Sequence, residues 1–293
     1  MRIPAPHRFV TKLLASEGYV FPHDPLFELV AFLFGLRNCS SHARAGIVAL
    51  VGKPGSGKSF LLERVASVMS VRVLRISLAD CESSSAGEPA ARLRSAALEA
   101  QRLRQQGFVV LIVIDDADLG LADAREGEGS TTNRPQLIGL IQELVDGRCT
   151  VDGKRIGRQF FAFTMNSTVD VRKSLLRDMR CVIIEHDPST ADRERMARHE
   201  LSGLLSGGVL NRQIKRLGRM SIAEIAAVKE HLRQMIDRMI AMDMAWTPYQ
   251  AWLTSERGMH LIDAVGRRVL GGRDVRHAID AVRQRSNARK SYL

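Results

Sequence analysis

The chain has 293 residues, 45% apolar and 26% charged, the balance of a globular protein with an ample core; aromatics at 5% make that core mostly aliphatic. The net charge is +11, only eight of the 43 basic residues are lysine, and residues 189–293 hold 19 Lys/Arg against 11 Asp/Glu, a bias that allows nucleic acid, a membrane surface or an acidic partner. Excluded are a zinc or disulfide framework, because Cys39, Cys81, Cys149 and Cys181 form no CxxC, and a bilayer span, because no stretch is long and apolar enough.

The N-terminus, MRIPAPHRFV, lacks a basic start followed by an apolar run, so a cytoplasmic location is expected. Residues 1–23 read as an irregular arm. Asp24 and Pro25 then open a helix as its cap and first residue. Residues 38–45 read as a connector. IVALV (47–51) is a short strand entering a glycine-rich turn, and Lys58 to Met69 is helical. VRVLRISL (71–78) is a second strand, Pro89 to Gln106 a helix, and FVVLIVI (108–114) a strand apolar enough to be buried on both faces. Residues 119–134 read as a loop and Gln136 to Asp146 as a helix. QFFAFTM (159–165) and CVIIEH (181–186) are the fourth and fifth strands. After Thr190 only amphipathic helical stretches follow: 191–205, 221–242, 258–270 and 273–285.

Strands spaced by helices predict an α/β fold with a parallel sheet of about five strands flanked by helices. The expected organisation is an N-terminal arm and helix over 1–44, a nucleotide-binding α/β domain over 45–189, and a smaller all-α lid over 190–293.

The strongest motif is GKPGSGKS, residues 52–59, which fits G-x-x-x-x-G-K-[ST] in full, with a strand before it and a helix after it. Gly52, Gly55 and Gly57 are expected to let the backbone curl so that successive N–H groups face phosphate oxygens. The helix dipole adds to that field. Lys58 places a cation on the outer phosphates, and the Ser59 hydroxyl is a hard oxygen donor suited to Mg²⁺. Lys53, Pro54, Ser56 and Phe60 complete the segment expected to surround ATP.

FVVLIVIDDAD (108–118) is an apolar strand ending in three carboxylates. Asp115 is expected to organise the Mg²⁺ shell. Asp116 is the candidate to orient or deprotonate an attacking water, where glutamate, with its longer reach, is more common. Asp118 reads equally as a cap for the next segment. Asn166, at the end of FFAFTM, is a polar amide that can hold that water or touch the γ-phosphate.

The order of P-loop, acidic strand, Asn-ended strand, paired arginines and late helix-start arginine resembles the AAA+ ATPases. That resemblance implies a P-loop NTPase fold of AAA+ type and an ATP hydrolase. It gives Arg177 and Arg180, in SLLRDMR, the role of fingers reaching a neighbouring subunit's ATP. It gives Arg273 or Arg276, in GGRDVRHAID, the role of a lid arginine folded onto the phosphates.

Within that family residues 47–200 are similar to the Rubisco activase branch. The similarity runs through GKPGSGKSF, ESSSAGEPAARLR (82–94), IDDAD (114–118), TTNRPQLIGLIQELVD (131–146), TMNS (164–167) and LLRDMRCVIIEHDPSTADRER (175–195). It implies a homo-oligomeric ring, commonly a hexamer, that remodels a protein client, with residues 82–87 lining a central pore. That segment has no aromatic residue. The region after about residue 200 departs from the family. Two other functions compete: a nucleic-acid-associated helper, allowed by the basic C-terminal third but short of aromatics for base stacking, and a nucleotide-gated scaffold with little turnover. A membrane partner is not expected.

Overall fold

The computed structural model describes residues 23–38, 45–77, 87–121, 133–151, 153–169, 171–177, 179–243, 266–267 and 269–290. Residues 1–22 of the expected arm (1–23), most of the 38–45 connector, residues 82–86 of the expected pore segment (82–87), and most of the expected 119–134 loop lie outside the described residues. So does the first part of the expected 258–270 helix. His23 itself begins the first helix. The chain divides into two compact units, the first ending at Asp187 and the second starting at Pro188.

The first unit starts with α1 (His23–Asn38). Asp24 sits inside its first turn rather than capping it, and Pro25 follows. Proline is tolerated there because first-turn N–H groups have no intrahelical acceptor. Leu26, Leu29, Val30 and Leu33, spaced at helical intervals, are buried.

Then come β1 (Ile47–Val51), α2 (Lys58–Val68), β2 (Val71–Ser77), α3 (Glu88–Gln105) and β3 (Val109–Asp115). These are followed by one helical turn, α4 (Ala117–Gly120), and by α5 (Asn133–Asp146). A short antiparallel hairpin, β4 (Thr150–Val151) with β5 (Lys154–Arg155), precedes β6 (Phe161–Met165) and β7 (Cys181–Glu185).

The five long strands are all parallel, in the order β2-β3-β6-β1-β7. The central strands carry apolar side chains on both faces. Val110 to Ile114 and Ile47 to Leu50 are all buried, as a sheet covered on two sides requires. Alternate residues Ile112 and Ile114 pack with Leu93, Ala97, Leu140 and Leu144 of α3 and α5.

The second unit contains α6 (Thr190–Leu201), α7 (Gly207–Leu217), α8 (Ile222–Asp243) and α9 (Gly272–Lys290). Its core joins Leu201, Leu210, Ile214, Leu217, Val228, Leu232, Ile236, Val275 and Ile279. Two helix starts are fixed by reciprocal capping. Ser189 and Asp192 close a capping box on α6, and Ser221 with Glu224 does the same for α8. Arg193 holds the carbonyls of Pro188 and Gly218, tying the start of α6 to the end of α7. No helix was expected between 205 and 221, where α7 lies; it opens on Gly207 and Gly208, residues of low helix propensity.

Candidate nucleotide-binding site

The sheet order decides where the polar strand ends meet. β6 lies between β1 and β3, and Val51 pairs with Met165 while Ile114 pairs with Phe163. Gly52 and Asn166 therefore leave the sheet side by side, and Asp115 stands level with Thr164. The loop after β1, the acidic end of β3 and the amide end of β6 converge on one edge.

In the loop, Gly55 (φ 74°) and Gly57 (φ 91°) occupy the left-handed region that side chains disfavour. Gly57 is the N-cap of α2 and offers no side chain to its first-turn N–H groups. Those donors, unpaired within the helix, are left for an anion. Gly52 has a different reason from the curl expected of it. A Cβ there would stand 2.1 Å from the His186 carbonyl oxygen, so the loop can pass β7 only without a side chain. Gly52→Ala is expected to destabilise the fold by about 1–3 kcal/mol. A thermal melt equal to wild type would show that the backbone gives way at no cost.

Lys58 is the centre of the site. It is buried, and its Nζ donates to Asn166 Oδ1 at 3.0 Å and to the carbonyls of Gly52 (2.7 Å) and Lys53 (3.1 Å). Burial pushes its pKa below the usual lysine value, while the carboxylates of Asp116 and Asp118 pull it back up. Ser59 Oγ donates to Asp115 Oδ1 at 3.1 Å, and Thr164 Oγ1 donates to the same oxygen at 2.9 Å. Asp116 is exposed, at the turn after β3, with its backbone left-handed (φ 49°, ψ 45°). Its N–H donates to Thr164 Oγ1 at 3.3 Å. Asp118 accepts the Asn166 N–H at 2.9 Å, so the two polar strand ends are joined directly.

Around this group Lys53 points outward to Asp187 at 2.8 Å, and Pro54 is exposed. Phe60 is half-buried, with the Arg64 guanidinium 5.4 Å from its ring centroid. Ser56 Oγ is buried without a hydrogen-bond partner among the described residues.

Arg177 and Arg180 precede β7, whose first residue pairs with Ile47 at the start of β1. They therefore lie at the edge of the sheet opposite the loop, about 16 Å away along a five-residue strand. Arg180 donates to Ser174 O at 2.6 Å and to Asp146 Oδ2 at 2.9 Å. Arg177 is exposed, with no side-chain partner among the described residues. Arg273 and Arg276 sit on α9 in the second unit, both exposed. Thus Lys58, Ser59, Asp115 and Asn166 are brought into contact, Asp116 stands beside them, and the paired arginines are held away. Thr164 and the tie made by Asp118 were not expected. A threonine inside FAFTM was the available signal, since a buried hydroxyl needs a partner.

The donor set fits a nucleotide with Mg²⁺. A buried hydroxyl without a partner among the described residues, a desolvated ammonium and two left-handed glycines line the loop, and Ser59 with Asp115 offers hard oxygens. No cluster of three or more His, Cys, Asp or Glu able to hold a metal occurs among the described residues. Mg²⁺ would therefore depend on this pair and on the phosphates.

Residues 48–188 match the model of the ATPase family associated with various cellular activities, AAA. That segment is an AAA+ domain. The chain is also similar to ribulose bisphosphate carboxylase/oxygenase activases. That of Nostoc sp. is 27% identical over 154 residues, covering 50% of this chain and 37% of that protein. That of Anabaena sp. is 26% identical over 183 residues, covering 58% and 42%. The chloroplastic activase of Phaseolus vulgaris is 30% identical over 105 residues, covering 36% and 24%. The chain thus spans less than half the length of each of these relatives. Among the described residues, no helix of the chain is long and apolar enough to cross a membrane.

Proposed function

We propose that this chain binds and hydrolyses ATP with Mg²⁺ and uses the cycle to remodel a protein or protein complex. The supporting observation is the contact between Lys58 and Asn166 beside the Ser59–Asp115–Thr164 network at adjoining strand ends.

In this reading the loop N–H groups of residues 55–59 and Lys58 hold the phosphates. Ser59 and Asp115 hold Mg²⁺, which when bound neutralises charge on the phosphate oxygens. Asp116, exposed at the turn, accepts a proton from the attacking water, and Asn166, fixed by Asp118, orients that water. Identical copies packed head to tail close into a ring, a hexamer in this proposal, and present Arg177 to a neighbour's phosphates. Either Arg273 or Arg276 supplies the lid cation. The similarity to the activases supports the machine type and not a particular client.

Asp116→Asn tests the hydrolytic role. Phosphate release is expected to fall by about 10²–10⁴-fold with ATP affinity retained. Unchanged turnover in that variant would reject Asp116 as the base. If wild-type protein itself binds ATP but does not turn it over, a nucleotide-gated scaffold is the correct reading.

A further inference from the structure

Arg75 belongs to β2, a strand from which no site residue was expected. Ser77 pairs with Asp115 across the β2–β3 ladder, and Arg75 is two residues upstream, on the same face as Ser77. Its guanidinium donates one Nη to Asp115 Oδ2 and the other to Glu63 Oε1. Glu63 lies one turn beyond Ser59 on α2, so both side chains face the same way. Ser59 and Thr164 meanwhile donate to Asp115 Oδ1. Both oxygens of the carboxylate assigned to the Mg²⁺ shell are therefore engaged: hydroxyls donate to one and an organic cation to the other.

We propose that Arg75 is a displaceable counter-ion for Asp115, which competes with Mg²⁺ for Oδ2, and that Glu63 is the acceptor that retains the guanidinium when the metal takes its place. This rests on the nucleotide reading of the site. Guanidinium stays charged at any relevant pH, so it cannot yield to the metal by losing a proton. It must move, because two cations on one carboxylate oxygen repel each other. Glu63 makes the move short, since one arm of the guanidinium fork is already bonded to it. Its side chain is 55% exposed, against 24% for Asp115, so Glu63 can swing outward with the arginine while Asp115 stays fixed. Arg75 thus positions the metal site and touches no reacting atom.

Calorimetric titration of the full chain with ADP, once with Mg²⁺ and once with EDTA, gives the ratio of the two affinities. In Arg75→Gln this ratio is expected to rise about three- to fivefold, the yield of removing one partly exposed competing ion pair. In Glu63→Gln it is expected to fall, because Arg75 is left with Asp115 as its only carboxylate partner in this trio. Melts of the nucleotide-free variants confirm that each is folded. A lower ratio in Arg75→Gln, the same direction of change in both variants, or no change in either overturns the proposal. Wild-type protein that binds ADP under neither condition would remove the nucleotide reading and this proposal together. Wild-type binding with unshifted variants would remove this proposal alone.

Discussion

Lys58→Ala is expected to abolish measurable binding of Mg-nucleotide, with affinity reduced by at least about 10²-fold in calorimetry. The lysine is the cation at the mouth of the loop and is already desolvated, so its attraction for phosphate is little screened by water. Hydrogen bonds to charged groups contribute about 1.5–3 kcal/mol each, and two such bonds to phosphate oxygens account for the expected loss. Removing the side chain also leaves Asn166 Oδ1 and the Gly52 and Lys53 carbonyls without that donor. A melt of the variant without nucleotide must therefore accompany the titration. Wild-type affinity in a folded Lys58→Ala protein would refute the assignment of the loop.

Arg177→Ala is expected to retain ATP binding and lose about 10³–10⁵-fold in turnover, the contribution of an arginine finger. The two arginines are separable on structural grounds. Arg180 is held inside its own chain by Asp146 and the Ser174 carbonyl, and its side chain is 20% exposed. Its replacement should cost about 1–3 kcal/mol of stability through that lost anchor. Arg177 is free among the described residues, beside the edge strand β7, and about a strand's length from its own phosphate loop. In the proposed ring it would act on another copy's nucleotide. Mixing Arg177→Ala with Asp116→Asn subunits checks this, because a mixed ring pairs an intact finger with an intact base at some interfaces and should regain turnover. Normal turnover by Arg177→Ala alone, in an intact assembly, would refute the finger.

The fold was legible because buried parallel strands leave near-continuous apolar runs, as in FVVLIVI, that turns and helices separate. Besides the single turn of α4, two elements escaped. The β4–β5 hairpin has only two residues per strand, too few for alternation to register, although Asp152-Gly153 is a hairpin turn signal and Gly153 adopts φ 74°. The α7 helix starts on two glycines, and only its packing, through Leu210, Ile214 and Leu217 into the core of the second unit, overrides their poor propensity.

At the site, that Lys58, Ser59 and Asp115 lie together was legible, because the motif they belong to joins a strand to a helix beside an acidic strand end. That Arg180 rather than Arg177 is tied down was not, since it depends on which one finds Asp146 across 34 residues. Arg75 was invisible for the same reason: its partners come from α2 and β3, and nothing local in VRVLRIS marks it.

The turn at Asp116 has a bearing on how the proposed site could change over time. A left-handed backbone favours asparagine and aspartate among residues bearing a side chain, because their short polar groups bond locally. Lengthening the acid to glutamate would gain reach toward water but lose that compatibility, at roughly 1–2 kcal/mol. Chain geometry thus biases this position toward the shorter acid, and a faster variant would have to reshape the turn before, or together with, the side chain.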